Sequence, residues 1–87
     1  MVKESPPWHI ETVKIVRTKH FEQKYLSKWH WGPEELRDAV RRTYRIEQVG
    51  KSKYELYTYK TGFKKIILVY ENGEIICISG AEGGKRS

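Results

Sequence analysis

Apolar positions recur along this chain with two periods, and the change from one to the other divides it. From Trp8 onward, Ile10, Val13, Ile15 and Val16 follow an imperfect alternation, which predicts a first strand over about residues 9–16. Phe21, Tyr25 and Trp29 then recur at i, i+4 and i+8, with Leu26 widening the face, so a helix is predicted over about residues 19–29. Thr18 is placed to cap it. Gly32-Pro33-Glu34-Glu35 opens a second helix over about residues 33–43, with proline at the first helical position and acids in the first turn. Leu36, Ala39 and Val40 form its inward face, and Asp38 and Arg42 stand at i,i+4 as an ion pair.

Beyond residue 43 the period shortens to two. A strand from Tyr44 to Val49 ends at the turn Gly50-Lys51-Ser52-Lys53. Over residues 54–60, Tyr54, Leu56 and Thr58 alternate with Glu55, Tyr57 and Tyr59. Thr61-Gly62 turns the chain into the apolar strand Lys65 to Tyr70, and Asn72-Gly73 signals a tight hairpin into a last strand, Glu74 to Ser79. The predicted fold is therefore α+β: strand–helix–helix, then an antiparallel four-strand meander, with both helices packed on one face of the sheet. Ile66 to Val69 and Ile75 to Ile78 are apolar on both faces of their strands. The face away from the helices is then expected to be covered by the tail, by a second copy of the chain in a homodimer, or by a partner protein.

Length and composition narrow this further. With 87 residues the chain has room for one domain, with residues 1–7 expected as a loose leader and 81–87 as a mobile tail. A chain this short buries only about 60% of its unfolded surface, and the 13% of aromatic residues supplies large areas per side chain. Seventeen basic residues against eleven acidic ones give a net charge of +6, which favours RNA or another polyanion as a partner. No apolar run approaches the roughly 18 residues of a membrane span, so no membrane partner is expected. Cys77 stands alone, which suits a reducing compartment such as the cytoplasm. Asn72 is the only asparagine and Asp38 the only aspartate, a thermophile-like bias.

Most catalytic arrangements are missing. The chain carries no Cys-His cluster, no HExxH and no glycine-rich phosphate loop, and His9, His20 and His30 do not share a ligand spacing. No metal and no cofactor are expected. Two basic surfaces remain. One is a helix edge where His20, Lys24 and Lys28 repeat every four residues; the other is a sheet face with Tyr57, Tyr59 and Lys65, joined by Arg45, Lys60 and Lys64. Tyrosines on a sheet can stack unpaired bases while Lys and Arg hold phosphates. Metal-free RNA cleavage needs only a base, an acid and a charge clamp, and His20, Lys65 and Tyr59 are the candidates for these roles. Against this stands a plainer reading, in which the tyrosines are half-buried sheet residues and the helix stripe is a solvated edge.

Three stretches carry a family resemblance: Arg17-Thr18-Lys19-His20-Phe21, Pro33-Glu34-Glu35-Leu36-Arg37-Asp38-Ala39-Val40, and residues 65–78. Over about residues 10–80 the chain resembles toxins of the RelE/ParE superfamily, the BrnT-related branch in particular. The resemblance implies a metal-independent mRNA endoribonuclease, held in check by an antitoxin protein, with His20 as the residue that carries over. Where such toxins carry a basic cluster near the end, this chain has Gly80-Ala81-Glu82-Gly83. Fold and activity are therefore separate expectations. A non-catalytic nucleic-acid-binding or protein-interaction module is the alternative.

Overall fold

The computed structural model describes residues 6–60 and 62–82. Strand β1 (Lys14–Arg17) leads into helix α1, built from an α-helical turn (Lys19–Phe21), a π-helical stretch (Glu22–Leu26) and a closing α-helical turn (Ser27–Trp29). Helix α2 (Pro33–Arg41) follows, and then β2 (Thr43–Gln48), β3 (Lys53–Tyr59), β4 (Phe63–Glu71) and β5 (Glu74–Glu82). The sheet order is β1-β5-β4-β3-β2.

The meander β2 to β5 is antiparallel throughout, as the alternating pattern and its turns require. Strand β1 departs from the expected all-antiparallel sheet, because it joins β5 in parallel, Ile15 opposite Ile75 and Arg17 opposite Cys77. A parallel neighbour needs a long crossover, and the two helices together with the meander provide it. Thr18 fixes the corner. Its N–H and its hydroxyl both donate to Cys77 O (3.1 and 3.2 Å), while its Oγ1 accepts from Phe21 N at 3.1 Å.

The first strand is also shorter than its sequence pattern. Residues 9–13 make a turn in which the N–H groups of Thr12 and Val13 both donate to His9 O. Arg37 of α2 donates to Ile10 O (2.6 Å) and Val13 O (2.9 Å), which holds this segment against the helix. Trp8 is buried edge-on against Tyr54 and Tyr70 at 5.6 and 5.3 Å. Trp8 is thus docked, Pro6 and Pro7 before it are exposed, and residues 1–5 lie outside the description. At the other end β5 continues through Gly80, Ala81 and Glu82, taking in the first two residues of the expected tail, and 83–87 lie outside the description.

Each helix end has an identifiable cause. Helix α1 stops at a Schellman turn, with His30 left-handed (φ 61°), His30 N donating to Ser27 O and Trp31 N to Leu26 O. Helix α2 starts at Gly32, whose N–H donates to the Glu35 carboxylate at 2.9 Å. The core lies between the helices and one sheet face: Phe21, Leu26, Trp29, Leu36, Ala39 and Val40 pack on Leu56, Ile66, Leu68, Ile75 and Cys77. Their strand neighbours Tyr57, Ile67, Val69 and Ile76 alternate to the opposite face, where they are half-buried.

Candidate functional site

Alternation along β3 decides which side chains share the outer face. Leu56 and Thr58 are fully buried toward the helices, so Tyr57 and Tyr59 point away from them. The register then sets Arg45 of β2 and Lys65 of β4 directly opposite Tyr57 on its two sides. The Arg45 guanidinium lies 5.5 Å from the Tyr57 ring centroid and Lys65 Nζ 5.7 Å, so one ring is flanked by two cations. Each cation also has a carboxylate: Arg45 is ion-paired with Glu47, and Lys65 Nζ is 3.7 Å from Glu55. The Tyr57 hydroxyl donates to Glu55 at 3.1 Å. Burial, aided by that hydrogen bond, holds the phenol above its ordinary pKa of 10.0, so Tyr57 is neutral at physiological pH.

Next to this unit, three aromatic rings stand in solvent. Tyr59 and Phe63 meet across the β3–β4 pair at a centroid distance of 4.7 Å, and Tyr44 meets Phe63 at 6.3 Å. Their exposures are 54%, 46% and 58%. A β-bulge between Thr43 and Arg45 inserts Tyr44 as an extra residue, which turns its ring toward Phe63 across the intervening strand. Tyr44 and Phe63 were not singled out from sequence. For Phe63 the signal was present in its two-residue spacing from Lys65; for Tyr44 it was hidden, because a bulge breaks the alternation that would have placed it.

The other candidates lie elsewhere. Lys64 points to the helix side, 9% exposed, with Nζ 5.4 Å from the Trp29 ring and 3.9 Å from Glu82. Lys60 Nζ bonds Asp38 of α2 at 3.0 Å. Neither joins the tyrosine face, because both are drawn to carboxylates on the helical side.

His20, Lys24 and Lys28 do share α1, on the layer opposite Tyr59 and Lys65. His20 is exposed and edge-on to Tyr25 at 6.1 Å, and Lys24 Nζ lies 5.9 Å from the same ring. Lys28 is ion-paired with Glu82 at 2.9 Å, a hydrogen bond that raises its pKa above the ordinary 10.5. The sheet thus separates His20 from Lys65 and Tyr59, and the three proposed catalytic groups are not gathered at one centre. Among the described residues no three His, Cys, Asp or Glu side chains are grouped to hold a metal ion, and no helix is long and apolar enough to cross a membrane. Comparison with protein-family models, curated proteins and solved structures finds no match for the chain.

Proposed function

We propose that the protein is a single-stranded nucleic-acid-binding module, with RNA the favoured polymer, and that the outer sheet face is its binding surface. The observation that carries this reading is the exposed aromatic trio Tyr44, Tyr59 and Phe63 beside the Arg45–Tyr57–Lys65 unit. Exposed rings give sequence-tolerant stacking platforms, and the flanking cations give phosphate partners at the same level of the sheet. On binding, phosphate oxygens would replace Glu47 and Glu55 as partners of Arg45 and Lys65, an exchange that keeps both cations paired. The net charge of +6 supplies the long-range attraction.

Binding fits the arrangement better than cleavage, because His20 stands on the other layer from Lys65 and Tyr59. The test is fluorescence anisotropy with a labelled single-stranded RNA over a range of salt. Tyr59→Ala and Phe63→Ala should each weaken binding by about 1–3 kcal/mol. Arg45→Ala and Lys65→Ala should each lower the slope of log affinity against log salt by roughly 0.7. Binding that ignores both salt and the aromatic substitutions would sink the proposal. RNA recovered from the same titration, run on a gel, tests the toxin-like alternative: cleavage abolished by His20→Ala would favour the endoribonuclease.

A further inference from the structure

Away from the aromatic face, a cleft of about 300 Å³ opens between edge strand β1 and helix α2. Ile15, Pro33 and Leu36 give it an apolar wall, and Arg17, Arg37 and Arg41 give it three guanidinium groups against the one carboxylate of Glu34. We propose that this cleft binds a small phosphomonoester, its phosphate held by the arginines and its organic body against the apolar wall.

The bonding of the three arginines carries the assignment. Arg37 is fixed by hydrogen bonds to two backbone carbonyls, Ile10 O and Val13 O, which orient the guanidinium without neutralising it. Arg17 has a single acidic neighbour, Glu22 at 3.6 Å, and its side chain is 29% exposed. Arg41 reaches Glu11 at 3.6 Å and Asp38 at 3.7 Å, and Asp38 is already closely engaged by Arg42 and Lys60. The ion pairs of Arg17 and Arg41 are long, 3.6 Å to Glu22 and Glu11 and 3.7 Å to Asp38, so both arginines can exchange them for an incoming anion while Arg37 stays in place.

Guanidinium forks match phosphate oxygens two at a time; Arg17 and Arg41 can offer theirs, while Arg37, whose two terminal nitrogens already donate to Ile10 O and Val13 O, adds its positive charge. Glu34 is the one carboxylate among the lining residues, and Glu22, Glu11 and Asp38 pair with Arg17 and Arg41 from outside it, so a phosphomonoester dianion would take the place of those carboxylates. The volume is at the lower end of small-ligand sites, too small for a folded partner and large enough for a phosphate with a modest substituent.

The test is NMR observation of the arginine Nε–H signals during titration with phenyl phosphate, with inorganic phosphate and succinate as comparison ligands. Saturable shifts of Arg17, Arg37 and Arg41 are expected, with phenyl phosphate binding more tightly than inorganic phosphate and succinate more weakly than either. Arg17→Gln and Arg41→Gln, both partly exposed positions, should each reduce the affinity about tenfold or more while the backbone spectrum stays folded. Shifts that fail to saturate, or that spread equally over basic residues elsewhere, would overturn the site. So would full affinity in both variants, or succinate binding as tightly as phenyl phosphate.

Discussion

Thr58 donates its hydroxyl to Ala39 O at 2.7 Å and so ties β3 to α2 from inside the core. Cys77 has no such partner, yet it is equally buried, at the point where β5 meets β1. Burial pushes its thiol up to about 12, and the positive charge of Arg17 only partly opposes the shift. A thiol held that high is protonated across the physiological range, and the protonated form is a poor nucleophile. Cys77 is therefore expected to react with a disulfide reagent at pH 8 only through opening of the sheet. The measurement is the labelling rate in native buffer and in guanidinium chloride. It should be slow in the first and close to that of a free peptide thiol in the second, and a fast native rate would show that the β1–β5 seam is open.

At the scale of elements, the docking of α1 depends on one missing side chain. A Cβ on Gly80 would stand 3.0 Å from Lys65 O, 3.1 Å from the Trp29 ring and 3.4 Å from the Phe21 ring. Two of these neighbours belong to α1 and the third is backbone of β4, so an added methyl must push the helix off the sheet. Gly80→Ala should cost about 1–3 kcal/mol by overpacking. Ala81→Ser, at the exposed neighbouring position, should stay within about 0.5 kcal/mol. Denaturant unfolding of both variants is the check, and equal midpoints would refute the role given to Gly80. Gly80 also shows where sequence reading stops. Local signals were legible: Pro33-Glu34-Glu35 started a helix, Asn72-Gly73 turned a hairpin with φ values of 52° and 75°, and the apolar Leu56 next to Tyr57 set the face of Tyr57. Contacts between distant segments left no such trace. Nothing local states that β1 runs parallel to β5, that Gly80 underlies Trp29, or that Glu82 is the carboxylate Lys64 meets, although alternation along β4 already sets Lys64 and Lys65 on opposite faces.

Across the whole molecule, two carboxylates join the helical layer to the sheet. Asp38 of α2 receives Lys60, Arg42 and Arg41. Glu82 of β5 receives Lys28 and the Trp29 indole N–H, with Lys64 Nζ at 3.9 Å. Hydrogen bonding by Lys60 and then Arg42 holds Asp38 below its ordinary 3.8, and hydrogen bonding by Lys28 holds Glu82 below its ordinary 4.5. A carboxyl depressed in the folded state binds its proton more readily when unfolded. Its stabilising effect is therefore complete above the ordinary pKa and disappears as the pH falls through the lower, folded value. Acid thus weakens both ties at once, just as carboxyl protonation throughout the chain raises the net charge above +6 and increases self-repulsion. Substitution separates these effects. Glu82→Gln should melt below the wild type at pH 7, and the two curves should converge as the pH falls below the ordinary 4.5 and through the lower, folded value. Added salt should narrow the gap at pH 7, because the ion pairs are partly exposed. A gap that stays constant from pH 7 to pH 3 would mean that Glu82 acts by packing alone, and that the pairing with Lys28 and Lys64 adds nothing to the hold of α1 on the sheet.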